Sequence, residues 1–342
     1  MTEKSYGGNV GFGMKEKNIK ESGASKELKV KKEKKSEMNE EYADFNLSRE
    51  EIENYIKAGQ IGKEVRKFTK GFIKPKMKLI EIAEKIENKI KELGGECAFP
   101  TNLSLNEIAA HYTPNLNDET IAEGLLKIDI GISFKGAIAD FAFSLDLTED
   151  GKYGEMIKLN EKILEAELSV IKSGVTIGEI GEQVSELLEN TGFSVIKNLS
   201  GHSLGEDVIH AGLTIPNYPN TNTTELKNIA IAIEPFLTTG QGMVYDGKPS
   251  EIYMLQAEGQ TRDNDARKLL EFVKENYKTR PFCKRWLEKA GLKKVSFSLL
   301  MLTRQGILHN FPVLVEKSKL PVSQAEHTAL ILKDKVIITT KN

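Results

Sequence analysis

Five residues stand where their chemistry is out of place. Asp129 lies in Lys-Ile-Asp-Ile-Gly (127–131) and Asp140 in the apolar run 137–143, both carboxylates inside β-rich segments. Glu234 follows the alternating run 229–233 and precedes Pro235, Glu326 opens the apolar segment 325–332, and His202 closes Asn-Leu-Ser-Gly-His (198–202). Burying a carboxylate is costly unless a cation or a hydrogen-bond donor compensates it. Singly, each residue has a plain structural reading: an Asp near a strand end bound to local backbone, a Glu at a rim, a His in a core. Together, two Asp, two Glu and one His make a hard, oxygen-rich donor set that suits Mn, Fe, Co or Zn in a paired site better than a sulfur-rich structural zinc site. Two such cations about 3.5–4 Å apart share carboxylates and hold a bridging water, whose pKa falls from about 15.7 toward about 7. Hydroxide is then available at neutral pH.

These donors need strands to carry them. Leu125–Phe134 and Ala137–Leu147 are β-rich runs separated by Lys135-Gly136, which reads as a hairpin turn. In that register Gly131 lies opposite Asp140, and Asp129 shares its face two residues along. The carboxylates then sit on a diagonal about 7 to 8 Å apart at the backbone. The missing side chain of Gly131 leaves a gap that a cation could bridge. Later strand candidates are Ile229–Leu237, Ala325–Leu332 and Val336–Thr340. Asp263–Tyr277 and Ser296–Leu308 have helical spacing, which places a small helical insert at about 262–309, around the only tryptophan, Trp286.

The chain also repeats itself. Residues 73–84 align with 171–182 at an offset of 98, and each stretch runs through a helical segment and a glycine (Gly94, Gly192) to Asn-Leu-Ser at 102–104 and 198–200. A slip of two residues over a whole helix-turn-strand unit predicts two related half-domains, hence a pseudo-twofold α/β domain with its site at the junction. The folded part begins near Ser48, with Glu51 three residues later completing a capping box.

Composition bounds the rest. A 39% hydrophobic content suits a globular core, and no apolar run approaches the roughly 20 residues that span a bilayer, so a cytoplasmic protein without membrane contact is expected. Cys97 and Cys283 are too few for a disulfide framework, leaving His and carboxylates to hold any metal. A net charge of -2 gives no long-range attraction for nucleic acid. Residues 1–46 lack apolar periodicity and are expected to be a disordered extension. Their basic run from Lys26 to Lys35 reads as a solvated tail, with a ribosome or RNA tether as the alternative.

At this point a resemblance becomes specific. The segments 99–111, 127–131, 198–202, 232–236 and 325–328, in this order and spacing, resemble the methionine aminopeptidases over roughly residues 48–342. The family implies the pita-bread fold, a pseudo-twofold α/β domain, and removal of the initiator methionine from nascent chains by a hydroxide activated at two divalent metals, with a small second residue preferred. By resemblance Asp129 chelates one metal, Asp140 and Glu326 bridge both, and His202 and Glu234 complete the other metal's shell, Glu234 doubling as proton shuttle. His111 and His210 match two substrate-facing histidines, one contacting the scissile amide and the other stabilising the tetrahedral intermediate; His111 also matches the histidine that fumagillin-type epoxides alkylate. Phe99, Ile209 and Phe311 match the methionine side-chain pocket. The 92 residues from Glu234 to Glu326 exceed what type 1 enzymes have, so the helical insert within the 47–342 catalytic domain marks type 2. A monomer is expected. His327 should point to the opposite face of its strand from Glu326, and His309 should lie in a loop beside the pocket. Two rivals remain: an Xaa-Pro aminopeptidase or prolidase, which shares the fold and ligands, and a non-enzymatic relative that binds ribosomes, RNA or proteins.

Overall fold

A computed structural model describes residues 42–44 and 47–341, and its first helix starts at the cap the sequence marks. Ser48 Oγ accepts the Glu51 amide at 3.2 Å, and the Glu51 carboxylate accepts the Ser48 amide at 2.7 Å, so the box closes on both sides. Helix α1 (Arg49–Phe72) buries Ala58, Ile61 and Val65, and α2 (Leu79–Glu92) buries Ile82, Ile86 and Ile90. They pack on Ile128, Ile130, Ile132 and Phe141 of the sheet that carries the first two carboxylates. Residues 1–41 and the basic run within them lie outside the described residues. Tyr42–Asp44, inside the stretch expected to be an extension, forms a strand parallel to Glu225–Lys227.

The first half continues with β1 (Glu96–Cys97), β2 (Asn102–Leu105) and β3 (Ile108–Ala110), then the long hairpin β4 (Leu125–Phe134) and β5 (Ala137–Asp146). Lys135 and Gly136 both have positive φ, 50° and 85°, the backbone of a tight primed turn that follows the strand twist. The register is the expected one: Gly131 faces Asp140, and Asp129 faces Ala142. β1 and β2 both pair with β4, at its far and near ends.

The second half repeats this plan with interruptions. Helices α3 (Gly154–Ser169) and α4 (Ile177–Glu182) precede β6 (Ser194–Val195), β7 (Gly201–Leu204), β8 (Thr214–Ile215), β9 (Ile229–Ile233) and β10 (Phe236–Thr238). Gly94 and Gly192, at matching points of the repeat, share left-handed φ values of 81° and 76°. The chain then departs into an insert: β11 (Val244–Leu255), α5 (Asn264–Asn276), β12 (Phe282–Cys283), α6 (Lys284–Lys289), α7 (Val295–Arg304) and β13 (Leu308–Glu316). It returns as β14 (Val322–Gln324), β15 (His327–Ile331) and β16 (Val336–Ile338). β6 pairs with β10 and β7 with β9, while β14 and β15 pair with the same two strands from the other side. Thus β9 plus β10 occupies the place of β4, and β14 plus β15 that of β5.

Four sequence expectations change here. The strand expected at Ile229–Leu237 is broken at Glu234-Pro235, because proline has no amide for the ladder. Its partner, expected at 325–332, starts only at His327. The helical part of the insert does fall within 262–309, around a core of Leu269, Val273, Phe282, Leu287 and Leu302, but α7 stops at Arg304 and Leu308 already belongs to β13. His309 is therefore on a strand, opposite Met254, and not in a loop. The insert is pinned to α2 by a buried bidentate pair, Arg285 Nη1 and Nη2 to Glu87 at 2.7 and 2.8 Å, with Trp286 Nε1 donating to the same carboxylate at 2.8 Å. Among the described residues no helix is long and apolar enough to cross a membrane.

Candidate functional site

The two halves meet at the carboxylates. Glu326 donates its amide to the Ala142 carbonyl at 3.0 Å, and Thr328 Oγ1 accepts the Asp140 amide at 2.7 Å while donating to the Asp140 carbonyl at 2.8 Å. These bonds join β5 of the first half to the segment around Glu326 in the second. Asp140, His202 and Glu326 bring one ligand atom each within 4.8 Å of one another, and so do Asp129, Glu234 and Glu326. Glu326 belongs to both groups.

Several oxygens of these groups have no protein donor. Oδ1 of Asp129, Oδ1 of Asp140 and both carboxylate oxygens of Glu326 are buried without a hydrogen-bond partner. His202 Nε2 lies 3.7 Å from Asp140 Oδ2, too far for a hydrogen bond, so the two converge on a common space and do not pair. Burial pushes the Asp129 carboxyl up to about 7, although the Gln324 amide opposes the shift. Burial, then the neighbouring carboxylates, hold Asp140 and Glu326 well above the ordinary range; for Glu234 the sequence of causes is the same, with Gln324 again opposing. Burial, then His210, depresses His202 to about 3, so its imidazole is neutral and available as a ligand. Four clustered carboxyls, three of them with orphaned oxygens, around a neutral imidazole fit divalent cations, which would return the carboxylates to their charged state.

One of the two groups joins His202 to Asp140 and Glu326, and the other joins Glu234 to Asp129 and Glu326. Gln324 Nε2 donates to Glu234 Oε1 at 2.8 Å, and Gln324 also bonds Asp129. The Glu234 backbone is fixed by substitute donors at the break: Asn217 Nδ2 to the Glu234 carbonyl at 2.8 Å and Asn160 Nδ2 to the Pro235 carbonyl at 3.0 Å. The sequence reading passed over Gln324, at the end of β14 and two residues before Glu326, and Asn160 and Asn217 carry no sequence signal of a site.

A cavity of about 180 Å³ opens over the donors, lined by Phe99, His111, Ile209, His210 and Phe311 together with Ile252 and Pro281 of the insert, which the sequence reading missed. The role given to Gly131 needs correction. A Cβ there would come within 2.2 Å of Phe99 Cε1, so the room left by glycine holds the Phe99 ring, not a cation. His111 has a left-handed backbone, φ 65°, and its Nδ1 is 3.1 Å from the Pro312 carbonyl. That oxygen only accepts, so Nδ1 carries the proton and Nε2 keeps its lone pair. Burial lowers the His111 imidazole to about 4, and also lowers His210. Phe311 meets the His111 ring edge-on at 5.3 Å, and His309 also packs edge-on against Phe311, at 4.6 Å. His210 meets the His202 ring edge-on at 4.4 Å. His327 points away as expected, with Nδ1 2.8 Å from Thr340 Oγ1 and Nε2 3.5 Å from Arg66 Nη1.

Comparison with known proteins agrees with this geometry. A model of metallopeptidase family M24 matches residues 53–262. A methionine aminopeptidase of Methanocaldococcus jannaschii is 42% identical over 297 residues, 85% of this chain and 100% of that one. A methionine aminopeptidase of Pyrococcus horikoshii is 42% identical over 296 residues, with the same coverage. In fold, the chain is similar to a thermophilic Arx1, with TM-score 0.73 and 16% identity over 86% of this chain and 91% of the other. It is also similar to the methionine aminopeptidase of Thermotoga maritima, with TM-score 0.61 and 22% identity over 86% and 98%.

Proposed function

Since the chain belongs to metallopeptidase family M24, within its methionine aminopeptidases, we propose that its five clustered donors hold divalent metal for the removal of N-terminal methionine from polypeptides. The pita-bread fold, the metallo-exopeptidase class and the full-length likeness to curated methionine aminopeptidases support that activity. The observation that carries the site is the set of unpartnered buried oxygens gathered around Glu326, which two donor groups share.

The finer reading has two ions, held by Asp129, Asp140, His202, Glu234 and Glu326, with Co, Mn, Fe and Zn all compatible with the donor set. When bound, such ions supply a nucleophilic water at neutral pH and polarise a carbonyl oxygen. The chain's own residues do the rest. Glu234, kept in place by Gln324, carries a proton between the attacking water and the leaving amine. His111 accepts the N–H of the scissile amide at its unprotonated Nε2. His210, above the donors, donates to the developing oxyanion. Phe99, Ile209 and Phe311 enclose an unbranched, flexible methionine side chain and exclude a charged one by its desolvation cost. A small second residue is preferred, and the insert of helices between β11 and β13 makes this a type 2 enzyme. Its substrates are nascent chains in the cytoplasm, it acts as a monomer, and its basic run offers a contact to the ribosome.

A prolidase-type reading has the same donors, but the relatives matched along their full length at 42% identity are methionine aminopeptidases. A purely binding role does not account for five donors kept together in a buried cluster. Metal analysis tests the reading. Protein purified without chelator should take up two equivalents of divalent metal by equilibrium dialysis, and Glu326→Ala should lose binding of both; a wild-type protein that binds none would overturn it.

A further inference from the structure

One buried ion pair outside the metal donors joins three stretches of chain that each lead into the cavity. Asp207 and Arg280 have side chains only 8% and 5% exposed, with Asp207 Oδ1 3.2 Å from Arg280 Nε, although the Nε–H does not point along that line. Asp207 sits in a tight turn between β7 and β8, closed by the Gly205 amide on the Val208 carbonyl at 2.9 Å, and has a left-handed φ of 52°. Its amide donates to the Gly136 carbonyl at 2.9 Å, which fixes the turn to the β4–β5 hairpin. From the insert, Thr279 Oγ1 donates to the Asp207 carbonyl at 2.6 Å and Lys278 Nζ to its Oδ2 at 2.5 Å. Arg280 reaches onward, its Nη2 to Glu96 Oε2 at 2.6 Å and the Asn276 carbonyl at 3.2 Å, its Nη1 to the Cys97 carbonyl at 3.4 Å.

Sequence neighbours give this cluster its meaning. Cys97 is two residues before Phe99, Asp207 is two before Ile209 and three before His210, and Arg280 is next to Pro281; all four neighbours line the cavity. A buried ion pair is a poor source of stability, because desolvation offsets most of its attraction and apolar packing replaces it at little loss. Its directional bonds do fix relative position. We propose that Asp207 and Arg280 are positioning residues that clamp the insert to the Phe99 and His210 loops, setting both the seat of His210 over the donors and the width of the methionine pocket. This rests on the methionine aminopeptidase reading above.

The test uses the full-length, metal-loaded protein as wild type, Asp207→Ala, Asp207→Asn, Arg280→Lys and the double Asp207→Ala/Arg280→Ala. Hydrolysis of Met-Ala-Ser and Ala-Ala-Ser, metal content and hydrogen exchange of residues 205–211 are read in parallel. Because a misplacement near 1 Å costs up to about 10²-fold, Asp207→Ala should lower kcat/KM on Met-Ala-Ser by about 10- to 100-fold, mostly in kcat. Its metal content should stay unchanged, its preference for Met over Ala should shrink, and exchange in 205–211 should quicken. Asp207→Asn, which keeps one acceptor oxygen but sets an NH2 group against Lys278 or Arg280, should recover part of the loss, and the double variant should be no worse than the poorer single one. A kcat/KM for Asp207→Ala within about twofold of wild type, with exchange unchanged, would overturn the clamp. Should Asp207→Ala fail to fold, Arg280→Lys decides by the same exchange readout: quickened exchange at an unchanged melting temperature supports the clamp, and unchanged exchange overturns it. Wild-type protein that exchanges as described but cleaves no Met-Ala-Ser would strike the functional reading alone.

Discussion

The two halves of the molecule hold equivalent carboxylates in different ways. In the first half Asp129 and Asp140 project from an unbroken hairpin, β4 and β5, where every ladder position is paired. In the second half Glu234 and Glu326 stand at the breaks between β9 and β10 and between β14 and β15. There the side-chain amide of Asn217 serves the Glu234 carbonyl, and the side-chain amide of Asn160 joins the Ala325 backbone amide on the Pro235 carbonyl. A regular sheet can aim a short Asp by register alone. A broken one uses the longer Glu and needs neighbours such as Gln324 to fix where it points.

The largest expected effect treats the halves alike. Asp140→Ala from the hairpin and Glu326→Ala from the break should each reduce peptide hydrolysis to background and lower bound metal by at least one equivalent. Glu326→Ala with full metal content and activity would mean that the shared position assigned to Glu326 is wrong. Next comes His210→Ala, which removes an oxyanion donor but no ligand, so kcat should fall about 10²- to 10³-fold at unchanged metal content. An emptied site in that variant would move His210 among the ligands.

The difference between the halves is sharpened by their supports. Gln324→Ala should weaken metal binding about 10- to 100-fold, with activity restored by excess metal, because Glu234 loses the donor that orients it. Asn160→Leu removes one of the two donors to the Pro235 carbonyl and should cost about 0.5–1.5 kcal/mol in urea unfolding. No loss in either variant would show that the broken strands hold themselves.

These supports are also where sequence reading ran out. The hairpin was legible because Lys135-Gly136 and two long apolar runs fix turn and register together, and Asp129 and Asp140 then fall on one face by counting. Residues 229–237 read as one strand until Pro235 is seen to lack a ladder donor. The β11–β13 ribbon was missed because its register shifts twice around Pro249 opposite Pro312, which leaves no clean alternation to detect. Gly131 was recognised as a gap, but its occupant, Phe99, comes from thirty-two residues upstream and only the folded chain shows it filling the space.

Smaller effects concern the cavity and the chain ahead of the first helix. Burial lowers His111 to about 4, so its neutral form persists as pH falls toward that value, and alkylation by a fumagillin-type epoxide should hold nearly constant from pH 8 to pH 6. A histidine at about 6.5 would lose about fourfold over the same range. Peptide mapping should place the label on His111, with His309 unmodified; a fourfold loss, or label on His309, would contradict the buried, Nδ1-protonated ring described here. Deleting residues 1–41, which contribute none of the proposed donors or cavity residues, should leave kcat/KM on tripeptides within about threefold, under about 0.7 kcal/mol. A larger loss would give that segment a part in catalysis.

The most direct measurement compares Met-Ala-Ser, Lys-Ala-Ser and Ala-Pro as substrates of the full-length protein, first after dialysis against chelator and then after return of divalent metal. Release of methionine from Met-Ala-Ser that vanishes with chelation and returns with metal, with Lys-Ala-Ser and Ala-Pro left intact, is the predicted result. Rapid cleavage of Ala-Pro or Lys-Ala-Ser, or hydrolysis that persists in the metal-free protein, would contradict it.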